Sequence, residues 1–411
     1  MSKVNRFIRT LDLDTIVVLS AGTLLSGLIP LLFEPYLKSN FTPEEYGSFD
    51  VFLKSIPFLA LIYTLKNETL ISSSEATKAM LVFKSTLNQI FITFLIFLAI
   101  SLFIGNFTII ASVIGGFLFA NITAMTTLYV RKGYKIYVAF HKPVRRFSEL
   151  LVLIIILSFS LTSTHSLIKS SLIGLLATAT YLILKLKKED LKFVFTLDYS
   201  SDALKSFFRL KHLFLGEFLN ILSLSYLTYF VYWNYSKSSA GILELTGKFI
   251  AVPQLLFSSV FGIVIQNRVG SMFSDKIDMR SYLRQLLLFL ILVSSGVVIT
   301  YFLTIDFVIV SLFTEEWHES ANWAKILLPQ LYFFMIFSPF ARVLYGLQAQ
   351  VEIRNWYLLK SLLVLSTAIF YKSEILTFLS IYVVFSCAAY VSLIFFVYQG
   401  LHRYEKNSLQ R

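Results

Sequence analysis

The chain has 411 residues, of which 56% are hydrophobic and only 15% charged, with a mean hydropathy of +0.73. Soluble domains run at about 45–50% apolar and about 25% charged residues, so this composition excludes a water-soluble globular fold. The net charge of +12 raises the question of nucleic acid, and the single Cys387 excludes a disulfide framework or a cysteine-based zinc site.

A bilayer span needs about twenty mainly apolar residues at about 1.5 Å each, and on that ruler the sequence predicts twelve helices. The start, MSKVNRFIRTLDLD, is basic and then acidic. The run after it, 15–36, lacks a small-residue cleavage site and reads as a retained span rather than a signal peptide. Spans at 46–66, 80–104, 108–131, 144–161 and 166–186 follow. The series is then interrupted at 187–211 by Lys187, Lys188, Glu189, Asp190 and Lys192, and resumes at 212–234, 240–266, 282–304, 321–347, 355–371 and 374–399.

The expected architecture is therefore an all-α polytopic membrane protein. An N-terminal six-helix lobe (1–186) and a C-terminal six-helix lobe (212–411) flank a cytoplasmic basic linker (187–211). In ALKSFFRLKHLFL (203–215), apolar residues alternate with Lys205, Arg209 and Lys211. That pattern suits a segment lying in the interface plane, and equally a charged tether.

Lysines and arginines favour cytoplasmic loops. With both termini cytoplasmic, most of the 36 basic residues fall inside, including Arg131, Lys132, Lys135, Lys142, Arg145 and Arg146, and only Lys38, Lys237 and Lys372 fall in outer loops. The positive charge is thus a topology signal, and no nucleic-acid partner is expected.

An internal repeat lies within this frame. When YGSFDVFLK (46–54) is set above AGILELTGK (240–248), Gly47 matches Gly241, Asp50 matches Glu244 and Lys54 matches Lys248. Pro57 and Pro253 follow at nearly matching places, and each stretch opens a helix entering from outside. Parallel repeats related by an axis along the membrane normal are a transporter feature, with the substrate site between the halves.

In each copy the acid and the lysine are four residues apart, on one helix face and within pairing reach. Lys54 sits about 12 Å along the helix from Tyr46, too deep for easy snorkelling. A charge at the centre of a span costs at least about 2.5–3.5 kcal/mol and normally faces a bundle interior or an aqueous cavity. Two readings stay open: each pair neutralises itself in helix packing, or Lys54, Lys248, Asp50 and Glu244 line a central cavity and meet substrate. Glu217, near Asn220, is a candidate proton- or ion-coupling group, because a desolvated carboxylate can carry a proton; the alternative is an interfacial acid paired with lysine.

Arg342 either snorkels at the inner end of its helix or meets a phosphate there, while Lys325 reaches outer water. Asn88, Gln89, Asn121 and Gln254 line the cleft or hydrogen-bond between helices. GILELTGK superficially resembles a phosphate-binding loop, but five residues separate its glycines and Phe249 stands where the magnesium-binding Ser or Thr belongs. His318, in the outer stretch EEWHES, has no neighbouring triad partners. No catalytic residue, cofactor or metal is implied, and the chain does not read as an enzyme.

Three segments carry a family resemblance: GLIPLLFEPYLKSNFTPEEYGSFDVFLKSIPFL (27–59), AGILELTGKFIAVPQLLFSSVFGIVIQNRV (240–269) and VSLFTEEWHESANWAKILLPQLYFFMIFSPFARVLYGLQ (310–348). They contain a Pro-Glu-Glu-Tyr-Gly turn before the second helix, an eighth helix with a mid-helix proline, and a Phe-x-x-Glu-Trp turn before a helix with Leu-Pro and Ser-Pro steps. Together they resemble the polysaccharide transporter family, O-antigen type, of the multidrug/oligosaccharidyl-lipid/polysaccharide (MOP) exporter superfamily. The resemblance implies two six-helix lobes around a V-shaped cavity that opens alternately to each side of a bacterial inner membrane. It also implies an undecaprenyl-diphosphate-linked oligosaccharide as substrate, membrane lipid as surroundings, and a glycan polymerase and a coupling ion (H+ or Na+) as further partners. It carries over no fixed site residues. The competing readings are a MATE-like cation-coupled drug exporter, which needs acids without balancing lysines, and a membrane glycan polymerase or ligase, which needs basic or acid/base residues on a sizeable outer loop.

Overall fold

Long apolar runs in a solvent that cannot hydrogen-bond must satisfy their backbone internally, and the helix does this within one segment. The computed structural model describes residues 13–73, 76–159, 162–186, 202–256, 279–347 and 349–409, with isolated positions 262, 265, 268–270 and 272. Among these the chain is all-helical, with no strand. Seven helices precede the linker: α1 (Leu13–Lys38), α2 (Pro43–Thr64), the short α3 (Glu68–Ser73), α4 (Ala76–Ile104), α5 (Phe107–Arg131), α6 (Lys135–Ser158) and α7 (Thr164–Leu184). Seven follow it: α8 (Asp202–Asn234), α9 (Lys237–Leu256), α10 (Arg280–Leu312), α11 (Glu319–Gly346), α12 (Gln350–Ser366), α13 (Ile375–Val391) and α14 (Leu393–Leu409). Eight helical stretches among the described residues are long and apolar enough to cross a bilayer, which makes this a multi-pass membrane protein.

Local chemistry explains where helices stop and start. Gly105, at φ +71°, ends α4 in a left-handed conformation that favours glycine, and Asn106 then caps α5 by accepting from the amides of Thr108 (2.9 Å) and Ile109 (3.2 Å). Ser163 opens α7 in the same way, accepting from the Ser166 amide at 3.3 Å. Residues 187–201, most of the expected linker, lie outside the described residues. Residues 202–211, read from the sequence as its end, are instead the first turns of α8, continuous with the seventh span.

The chain divides into two compact units. One comprises residues 17–41 and 45–221; the other comprises 222–411 with 42–44 and the first residues of α1. In the first unit α4 packs on α5, and α6 on α7. Lipid tails are as apolar as leucine, so helices associate in the bilayer chiefly through close contact of small residues. Ser112, Gly116, Ala120 and Ala124 form such a buried stripe on α5; Ser166, Ser170, Gly174 and Thr178 form another on α7. A Cβ on Gly116 would lie 2.6 Å from Leu59 Cβ of α2, and one on Gly174 would lie 2.9 Å from the Arg145 carbonyl of α6.

In the second unit α11 is central, packed by α9, α10, α13 and α14, with Leu331, Met335, Val343 and Leu344 fully buried. Polar contacts tie its helices together: Ser223 to Ser361 (2.7 Å), Trp356 Nε1 to the Ala389 carbonyl (3.0 Å), and Thr246 to the Ser320 carbonyl (3.3 Å).

Candidate functional site: two acid–lysine pairs

The first pair stands on α2. At helical spacing Tyr46, Asp50 and Lys54 share one face, and the ion pair forms, with Lys54 Nζ 3.9 Å from Asp50 Oδ1. Its members are unequal: the Asp50 side chain is 7% exposed and that of Lys54 40%. One residue further on, Ser55 bonds Ser112 of α5 at 2.8 Å, which anchors this turn of α2 to its neighbour.

The second pair stands on α9 and has the same polarity. Lys248 Nζ lies 2.6 Å from Glu244 Oε1, with the acid 4% and the lysine 29% exposed. The shorter distance follows from the extra methylene of Glu, which spans a full helical turn more easily than Asp. Gly241, one turn earlier, is required by a close approach: a side chain there would run into the carbonyl of Pro43. The stretch GILELTGK lies wholly inside α9, so it is helix and not a phosphate-binding loop.

In both copies, then, a buried carboxylate pairs with a lysine whose side chain is partly exposed. A carboxylate withdrawn from water needs a nearby cation, whereas a partly exposed lysine keeps hydrogen-bonding capacity for a further anion.

Glu217 is half-buried in α8. Its neighbour Phe218 packs on Phe58 of α2 (5.2 Å between ring centres) and on Phe214 (6.2 Å), which brings this part of α8 against α2, one turn beyond Lys54. Among the described residues no basic group is paired with Glu217. Arg342 of α11 is half-buried, its guanidinium 5.5 Å from the Tyr345 ring, and a Cβ on Gly262 would meet its stem at 3.2 Å.

Other polar residues follow the packing reading. Gln89 accepts from Asn67 (2.5 Å) and donates to the Tyr63 carbonyl (3.1 Å), joining α4 to the end of α2, and Asn121 bonds the Phe117 carbonyl of its own helix (2.8 Å). Lys325 pairs with Asp306 at the ends of α11 and α10.

Lys38 departs from its expected outer loop. It is the last residue of α1, and its side chain is fully buried, 3.9 Å from Glu34 and 3.1 Å from the centre of the Tyr46 ring. Glu34 and Lys38 are themselves an i, i+4 pair, a signal visible in FEPYLK. Lys84 and Lys360, and the acids of the pairs Arg146–Glu149 (2.9 Å) and Arg403–Glu352 (2.7 Å), likewise place charges in buried positions beyond those read from the repeat.

No protein-family description matches the chain, and no curated protein matches it in sequence. Solved structures do. The lipid II flippase MurJ, inward closed, superposes with a TM-score of 0.70 at 13% identity, covering 97% of this chain and 91% of that one. An inward-facing multidrug resistance MATE family transporter of the MOP superfamily gives 0.69 at 13% identity, covering 95% and 94%. An outward-facing MATE structure gives 0.64 at 13%, covering 95% and 96%. The chain therefore has the fold of these transporters.

Proposed function

We propose that this protein is a flippase of the polysaccharide transporter type. In this reading it moves an undecaprenyl-diphosphate-linked oligosaccharide from the cytoplasmic to the outer leaflet of a bacterial inner membrane by alternating access, two six-helix lobes rocking around the bound headgroup. The observation that carries the reading is the matched polarity of the two pairs, each with a buried acid and a partly exposed lysine. A diphosphate with its sugars cannot cross hydrocarbon alone, because it would lose its hydrogen bonds to water. Lys54 and Lys248 compensate the diphosphate charge, and Asp50 and Glu244 keep the empty site near neutral. Arg342 receives the headgroup at the cytoplasmic entrance, Glu217 carries a coupling proton or cation, and the prenyl tail stays in lipid. The reading requires both lysines to share one aqueous space.

The MOP fold also serves MATE transporters, and a cation-coupled drug exporter is the second reading. The lysines favour the first reading: a site for organic cations gains nothing from an ammonium beside each acid. The test is translocation of a lipid-diphosphate oligosaccharide in proteoliposomes. Lys54→Gln/Lys248→Gln should reduce it more than tenfold with the protein still folded. Unchanged translocation by the double variant, or efflux of an organic cation by the wild type, would overturn the proposal.

A further inference from the structure

We propose that the end of the first unit where α5 and α7 finish and α6 begins is a seat for the headgroup of an anionic phospholipid. Helix α5 ends in a Schellman motif: Gly133, at φ +77°, donates its amide to the Val130 carbonyl (3.1 Å), and Tyr134 donates to the Tyr129 carbonyl (2.9 Å). The chain therefore reverses from α5 into α6 through a short, fully bonded turn that presents Arg131, Lys132 and Tyr134. The end of α7 is tied to the same place, because the Tyr129 hydroxyl donates to the Leu182 carbonyl at 2.6 Å, three residues before Lys185.

Around this junction the rings of Tyr129, Tyr134 and Tyr137 lie 5.8–6.0 Å apart, and the Lys185 ammonium sits 5.6 Å from Tyr137 and 6.0 Å from Tyr181. Arg131, Lys132 and Lys185 are all exposed. Beside them Val130 (55%), Ile136 (61%), Phe140 (48%) and Leu184 (75%) are exposed apolar side chains. Cations, a tyrosine belt and a bare apolar surface thus meet within one short stretch of three helix ends. Those three chemistries suit the phosphate, glycerol and acyl chain of a lipid. A zwitterionic headgroup carries its own ammonium and brings no net charge to the three cations. The distribution of basic residues puts this end in the cytoplasmic leaflet, where anionic lipids concentrate. The inference stands apart from the transported substrate and holds for a transporter of any cargo.

Native mass spectrometry of the full chain in detergent, titrated with dioleoylphosphatidylglycerol or dioleoylphosphatidylcholine, tests the seat. The wild type is expected to retain phosphatidylglycerol about a hundredfold more tightly, at roughly fivefold for each of the three cations. Arg131→Gln/Lys132→Gln/Lys185→Gln should abolish the preference, whereas Lys237→Gln/Lys372→Gln should keep it. If the triple variant does not fold, Lys185→Gln alone should lose about fivefold. No preference in the wild type, or an undiminished preference in the Lys185 variant, overturns the proposal. Displacement of the lipid by millimolar inorganic phosphate overturns the lipid assignment, since it leaves the apolar surface no part in binding.

Discussion

The Lys38 ammonium lies 3.1 Å from the centre of the Tyr46 ring, with the lysine side chain wholly withdrawn from solvent. Tyr46 is one helical turn before Asp50, so this contact joins the end of α1 to the face of α2 that carries the first acid–lysine pair. A desolvated cation–π contact is worth about 2 kcal/mol, and removing one partner of a buried ion pair costs about 3–5 kcal/mol. Lys38→Ala, which leaves Glu34 buried without its lysine, should destabilise by about 3 kcal/mol. Lys38→Met combined with Glu34→Gln should recover most of that loss. Unfolding titrations in mixed micelles check both; equal losses in the two variants would show that the charge pair is not what matters.

The two acids of the repeat should respond unequally to neutralisation. Glu244 holds its lysine at 2.6 Å and Asp50 at 3.9 Å. Glu244→Gln is therefore expected to be the more destabilising, by about 1–2 kcal/mol over Asp50→Asn. The same unfolding titration reads the difference, and the reverse order would contradict the geometry.

Gly116 lies where α5 meets α2, with no room for a side chain beside Leu59. Gly116→Ala should cost about 1–3 kcal/mol through overpacking. Gly296 has open space around it, and its alanine variant should be neutral or slightly stabilising. Thermal midpoints by fluorescence-detected size exclusion separate the two.

Arg403 of α14 reaches back to the buried Glu352 of α12 at 2.7 Å. Arg403→Ala leaves a carboxylate in a dry position and should cost about 1–3 kcal/mol. Glu352→Gln/Arg403→Ala should be closer to wild type, which a double-mutant cycle measures directly.

If Glu217 carries a coupling proton, Glu217→Gln should make translocation insensitive to an imposed pH gradient while leaving substrate binding intact. Proteoliposome transport with and without the gradient checks this. A variant as gradient-dependent as the wild type removes Glu217 from coupling.

Much of this protein is legible in its sequence. Runs such as IFITFLIFLAISLFI announce helices because length and apolarity are local properties. The pairs Asp50–Lys54 and Glu244–Lys248 were legible because a helix brings i and i+4 together wherever it sits. The Glu34–Lys38 pair carried the same signal and was missed, because Lys38 falls at the edge of an apolar run and reads as a loop residue. The stripes Ser112–Gly116–Ala120–Ala124 and Ser166–Ser170–Gly174–Thr178 were also present in the sequence, yet hydropathy treats small residues as neutral and passes over them.

Only the tertiary structure decided which member of each pair is buried and which exposed, that Lys38 rests on Tyr46, and that Phe218 brings Glu217 against α2. Helical periodicity sets which side chains share a face within one segment. How deeply a face is covered depends on segments far away in the chain, and small residues set that by how closely they let two backbones approach.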